Sequence, residues 1–168
     1  MTFLPRDAEA DHYLKNRTAT EVPGTWKEFK DAESTFRVYV PADLQATKSR
    51  KGVTQFECKS ADGTHVFRVV VRNLQGSSRI SSPKGAAESL AFSKGVGPGF
   101  SGKCNFAGVI GHEVEFTFMS PSPRRVSVRS IRSNESILVF SCERDLRDIS
   151  TRIPNAFFDS VSLLRKLN

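Results

Sequence analysis

The sequence predicts an α+β fold: an antiparallel β-sheet of seven to nine strands packed with two main helices. Three observations carry that expectation. From Trp26 onward apolar residues alternate with polar ones at period two, the mark of half-buried strands. The runs are joined by short, turn-rich connections, which make neighbouring strands antiparallel. Two segments break the alternation with spacings of three and four, which puts their apolar residues on one helical face.

Residues 1–22 read as a flexible arm or linker, because large apolar residues are few there and no periodicity is sustained; 23–168 form the expected single domain. The first clear strand is Phe36, Val38 and Val40 alternating with Arg37 and Tyr39, until Pro41 ends the run. Strands over 53–59 and 65–74 flank an Asp62-Gly63 pair of the kind favoured in hairpin turns. In the second, Phe67, Val69 and Val71 point one way while Arg68, Val70 and Arg72 point the other. After Pro83, the spacing of Ala86, Ala87, Leu90, Ala91 and Lys94 is helical, and the Gly95, Gly97, Gly99 cluster ends it.

Further strands follow over 102–108, 113–119, 124–132 and 136–142, with turns expected at 109–112, 120–123 and 133–135. Near the end Leu146, Ile149, Ile153 and Phe157 share a helical face, with Asp145 as N-cap and Pro154 forcing a kink or a restart. A short strand around 160–164 closes the chain.

The chain has 168 residues, sized for one domain plus a tail, and its 38% hydrophobic content is enough for an ordinary core. Its 25 Lys and Arg against 18 Asp and Glu give +7. That charge is unevenly placed: residues 1–33 hold five basic and seven acidic side chains, residues 34–168 twenty and eleven. The folded part thus carries the positive excess, which favours acidic partners without selecting among nucleic acid, anionic lipid and acidic protein.

Cys58, Cys104 and Cys142 are 46 and 38 positions apart with no CxxC pair, so reduced thiols packed as small hydrophobes are expected. The N-terminus has no apolar stretch of the signal-peptide kind, and no membrane span is expected. A soluble, cytoplasmic protein is the default expectation, although a fragment cut from a longer secreted or tethered protein would read the same way.

Candidate chemistries weaken one by one. Gly97-Pro98-Gly99-Phe100-Ser101-Gly102-Lys103-Cys104 fits GxxxxGK, but Cys stands where a phosphate loop needs Ser or Thr, and the segment follows a helix and enters a strand. It reads better as a helix C-cap and connector. His12, His65 and His112 are scattered, with no HxH or HxxxH pair to nucleate a metal site, so no metal or cofactor is expected. A Cys-His pair between His112 and Cys104 or Cys142 would need a third, orienting group. No Ser stands in a GxSxG elbow, and no base is placed near Ser89 or Ser93. Glu113 and Glu115 are expected to face solvent or to pair with Arg125 and Arg129. Asn16-Arg17-Thr18 and Asn134-Glu135-Ser136 match the glycosylation pattern, a triplet common by chance.

The basic residues are the one feature that reads as a site. Arg37 and Tyr39, Arg68 and Arg72, and Arg125 and Arg129 all point away from Phe36, Phe67 and Val126, taken as the core sides. If their strands are neighbours, these six residues form a cationic sheet face, and arginine's planar fork suits carboxylate and phosphate. Val70, Ile131, Ile137 and Val139 fall in the same phase, which points to partial cover by a helix. A nucleic-acid platform would also show stacked aromatics, and only Tyr39 is offered.

Trp26-Lys27-Glu28-Phe29, Phe36-Arg37-Val38-Tyr39-Val40-Pro41, Gly111-His112-Glu113-Val114-Glu115-Phe116 and the ending Phe157-Phe158-Asp159-Ser160-Val161-Ser162-Leu163 together resemble the PsbP-like superfamily. The resemblance covers about residues 25–165 and is closest to uncharacterised bacterial members. It implies a PsbP-like α-β-α sandwich and a non-enzymatic binding or assembly module, with another protein as the expected partner. The alternatives are polyanion binding through the arginine face, nucleic acid included, or a small-molecule pocket between the sheet and the Ala86–Lys94 helix.

Overall fold

The computed structural model describes residues 20–33, 35–50, 52–74 and 80–164. The expected arm lies outside the described residues except for 20–22, where the Thr20 N–H donates to Asp159 Oδ2 at 2.9 Å. In chain order the elements are β1 (Lys27–Lys30), β2 (Phe36–Val40), β3 (Gln45–Arg50), β4 (Val53–Lys59), β5 (Val66–Asn73), α1 (Pro83–Ser93), β6 (Phe100–Phe106), β7 (Val109–Phe118), β8 (Arg124–Ser133), β9 (Ser136–Asp145), α2 (Arg152–Asp159) and β10 (Ser162–Leu163).

The α+β class and the antiparallel pairing are as expected, with the strands divided between two sheets rather than one. A three-stranded sheet runs β1-β2-β10, and a seven-stranded sheet runs β3-β4-β5-β9-β8-β7-β6. The larger sheet is covered on both faces. On its helix face lies α1, whose Ala86, Ala87 and Ala91 pack on Val114, Phe116, Val126, Val128, Ile137 and Val139. Alanines there let the helix axis approach the sheet closely. On its sandwich face, β2 contributes Phe36, Val38 and Val40 and α2 contributes Phe157 and Phe158, meeting Phe67, Val69, Phe106, Phe140 and Cys142. Rings meet edge-on, as between Phe36 and Phe140 at 5.4 Å and Phe67 and Phe157 at 5.0 Å, a geometry that adds to their area burial.

Helix α1 starts where the sequence places it. The Ser82 hydroxyl caps it by accepting from the Gly85 N–H at 3.0 Å, Pro83 occupies the first turn, and Gly95 at φ +72° follows its end.

Two boundaries differ from expectation. The hairpin between β6 and β7 turns at Ala107 and Gly108, φ +51° and +80°, and not at 109–112. Gly111 is a mid-strand residue: a Cβ there would collide with the Ser130 carbonyl oxygen, so its glycine serves the close approach of β8. The second helix begins at Arg152, not after Asp145. Pro154 has no N–H and its ring excludes a helical carbonyl four residues earlier, so it fits only in a first turn, and 146–151 form a loop. Asp145 instead ends β9, and its carboxylate accepts from the Arg147 N–H at 2.9 Å.

No helix among the described residues is long and apolar enough to cross a membrane.

Candidate binding surfaces

The six residues expected on one cationic face occupy three places. Arg37 and Tyr39 lie on β2 in the small sheet, outside the sandwich core. The Tyr39 hydroxyl donates to Glu28 Oε2 at 3.2 Å, and Arg37 Nε is buried without a hydrogen-bond partner. Arg68 and Arg72 point to the helix face of β5, in the phase of Val70. Arg125 and Arg129 point to the sandwich face of β8, in the phase of Ile131, and β9 separates β8 from β5. The expected common face is therefore absent. The reason is physical: a sheet buried on both sides has apolar residues in both phases, and Val126 belongs to the helix-face core while Phe67 belongs to the sandwich core. Of the apolar residues read as helix-covered, Val70, Ile137 and Val139 do lie in the core under α1, whereas Ile131 lies in the other.

Most of these cations are engaged within the fold. Across four adjacent strands of the helix face, Glu57 Oε2 sits 2.8 Å from Arg68 Nε, Glu143 Oε1 lies 3.4 Å from Arg68 Nη1, and Glu143 Oε2 lies 3.3 Å from Arg124 Nε. On the other side, Arg129 Nη2 is 3.2 Å from Glu113 Oε2, one of the two placements expected for Glu113, and its guanidinium lies 5.1 Å over the Phe158 ring. Arg125 donates from Nε and Nη2 to the Leu146 carbonyl at 3.4 and 3.3 Å.

Cations not anticipated from sequence stand elsewhere. Every residue of β3 is exposed, and register places Lys48 and Arg50 on the same face as Gln55 and Arg72. Among the described residues β3 is one of the two outer strands of the seven-stranded sheet, paired on one side only. With no buried side it has no alternation, and so no strand signature in the sequence.

The thiol and serine chemistry is also placed. Cys58, Cys104 and Cys142 are free and buried, and burial pushes their thiols up to about 11, 12 and 12. Cys104 and Cys142 belong to the sandwich core, whereas His112 pairs with Lys103 and Ser130 in the opposite phase, so the sheet separates them. His112 has another neighbour that the spacing did not reveal. Its Nε2 lies 2.6 Å from Ser101 Oγ, which donates to Glu88 Oε1 at 2.7 Å. A hydroxyl has one hydrogen and a carboxylate only accepts, so the imidazole is the donor to Ser101. A nucleophilic serine needs the reverse order, with the imidazole accepting its proton. The pKa of His112 is lowered, chiefly by burial.

A cleft of about 1020 Å³ opens at one end of the sandwich, floored by Val53, Phe56 and Val71 and rimmed by Asp31, Arg50 and Asn134. It lies away from α1, where the expected small-molecule pocket is filled by the packed alanines. The Asp31 carboxylate is already used, accepting from the Thr35 and Phe36 N–H groups at 2.6 and 3.1 Å.

No protein-family profile matches the chain, and no curated protein does. Among solved structures, that of cyanobacterial PsbP (CyanoP) from Synechocystis sp. PCC 6803 is similar over 84% of this chain and 94% of that one, with a TM-score of 0.60 and 7% identity. A crystal structure from Bacteroides thetaiotaomicron VPI-5482 is similar over 84% of this chain at a TM-score of 0.55 and 12% identity, and this chain spans 50% of that one's length. At such identities the likeness is one of fold. The three layers, the helix-covered sheet and these two structures agree: the chain has a PsbP-like fold.

Proposed function

We propose that the chain is a non-enzymatic binding module whose partner is another protein. The observation that carries this reading is β3, an outer strand with all six residues exposed and with Lys48 and Arg50 projecting beside Gln55 and Arg72. An outer strand offers backbone N–H and C=O groups to a second polypeptide, a mode of recognition that belongs to proteins. Its cations add steering toward an acidic partner. The non-enzymatic reading is supported by thiols held in their protonated form and by a Ser101-His112 hydrogen bond running opposite to activation.

Polyanion binding by the same surface has less support. Bases need aromatic platforms, and the exposed aromatics Phe92 and Phe100 lie on α1 and β6, away from β3. The two readings separate in one experiment. A photoreactive side chain at Ser49, in the full chain exposed to extract of its source cells, is expected to form a discrete protein adduct that Lys48→Glu with Arg50→Glu abolishes. The same group at the exposed Ile110 serves as control. Adducts with nucleic acid, or the same protein adducts from both positions, would overturn the proposal.

A further inference from the structure

Arg125 on β8 and Arg144 on β9 are direct cross-strand partners on the sandwich face. Like charges so placed repel, and a buried charge is ordinarily paired with an opposite one. Arg144 is only 3% exposed and Arg125 is half-buried. Yet no carboxylate oxygen of the described residues comes within 4.0 Å of either guanidinium, in contrast to Arg68, Arg124 and Arg129.

Their acceptors are neutral. Arg144 donates from Nε to the Asp148 carbonyl at 3.1 Å and from Nη1 to Ser127 Oγ at 3.0 Å, and Arg125 donates twice to the Leu146 carbonyl. A guanidinium carries five N–H donors, so each has several to spare. The loop 146–151, held by these same bonds, lies against the pair, and a third group closes it. His65 Nε2 is buried without a hydrogen-bond partner, 3.4 Å from Asp148 Oδ2, with the ring stacked on Phe67. Two permanent positive charges therefore stand with Asp148 in the loop and Glu115 across from Ser127 on the same sheet face, both beyond ion-pair distance, and with a neutral imidazole beside them.

We infer that Arg125 and Arg144, under the 146–151 loop, form a binding site for a single carboxylate, of the kind carried by an acidic side chain, a chain terminus or a free organic acid. The unused N–H donors of the pair can take both oxygens of a carboxylate, and the planar carboxylate matches the planar fork of arginine. A phosphate dianion would bring a second charge against Asp148. The site uses other residues than β3 and stands independently of the protein-binding proposal.

The test is titration of the full chain with acetate, with an acidic peptide bearing a free C-terminus, with a neutral peptide amidated at its C-terminus, and with inorganic phosphate, each against chloride at matched ionic strength. Carboxylate probes are expected to move the Nε–H resonances of Arg125 and Arg144, and Arg125→Gln is expected to weaken that binding about tenfold. Arg125→Lys, which keeps the charge and loses the fork, falls between. Lys103→Gln, which removes the same charge from the helix face of edge strand β6, leaves binding unchanged. A free acid as good as the peptide identifies a small organic acid as the source, and a clear preference for the peptide identifies a polypeptide. Equal losses in Arg125→Gln and Lys103→Gln, tighter binding of phosphate than of carboxylate near neutral pH, or no response beyond that of chloride would overturn the inference. Thermal unfolding of each variant verifies that loss of binding is not loss of fold.

Discussion

On the helix face of the large sheet, Glu57, Arg68, Glu143 and Arg124 alternate in charge from strand to strand; on the sandwich face of the same strands, Arg125 and Arg144 stand opposite each other with no carboxylate oxygen of the described residues within 4.0 Å. The two arrangements use the same residue type at the same strand periodicity. One is closed by ion pairs and serves the fold, and the other leaves guanidinium N–H groups that only solvent or a ligand can answer. The difference teaches that an arginine on a strand becomes informative about binding only once its partners are known.

The faces also differ in their cores, which gives the largest expected effect. Phe140 is fully buried in the sandwich core, with ring contacts to Phe36 at 5.4 Å, Phe106 at 5.5 Å and Phe157 at 6.2 Å. Phe140→Ala should cost about 3–5 kcal/mol, because neither the aromatic cluster nor the sheet can collapse fully into the space. Val139, the next residue, faces α1 from the other side, and Val139→Ala should cost about 2 kcal/mol. Denaturant titrations of both variants measure the contrast. Equal midpoints would mean that the two cores contribute alike, and the asymmetry would be lost.

The charge contrast is expected to be smaller. Glu143 binds two arginines, so Glu143→Gln leaves both short of a partner and should destabilise by about 1–3 kcal/mol, discounted for the partial exposure of those arginines. Arg125→Gln removes a like-charge neighbour of Arg144 together with two bonds to one carbonyl, and these offset to within about 1 kcal/mol. A costlier Arg125→Gln than Glu143→Gln would show that the uncompensated pair serves the fold after all.

How far such contrasts could be read in advance depended on what each residue reports. Phe36, Val38 and Val40, or Phe67, Val69 and Val71, announce a strand because one side of each is buried. The Pro83 start and the Gly95 stop of α1 are legible because they are local backbone chemistry, whereas the Ser82 cap shows only in the structure. Alternation does not say which of two cores a residue enters, so Arg68 and Arg125 were assigned to one face although they lie on opposite ones. Strand β3 has no buried side to report it. The Glu88-Ser101-His112 chain joins a helix to two strands, and Arg144 meets Arg125 only through register; neither has a signature in spacing.

The finest distinction between the faces lies in their histidines. His112 is buried on the helix face, with Glu88 opposing and Lys84 and Lys103 reinforcing the effect of burial on its pKa. His65 sits beside the sandwich face, where burial is opposed by Asp148 and Asp62 and reinforced by Arg144 and Arg124. Both pKa values are lowered, so below about pH 6.5 the unfolded chain binds protons that the folded chain resists. Stability should therefore fall as pH drops from 7 toward 5. Carboxylates act in a separate window: Asp62, held down to about 2 by bonds from Ser60 and Thr64, contributes stability that is lost only as pH falls below about 4. In His112→Gln the side-chain amide can still donate to Ser101 Oγ but takes up no proton, so its Tm should decline less than that of the unsubstituted chain between pH 7 and 5. His65→Gln, which removes the other lowered pKa, should flatten the profile in the same direction. A His112→Gln profile parallel to that of the unsubstituted chain would show that the helix-face imidazole does not resist protonation in the fold.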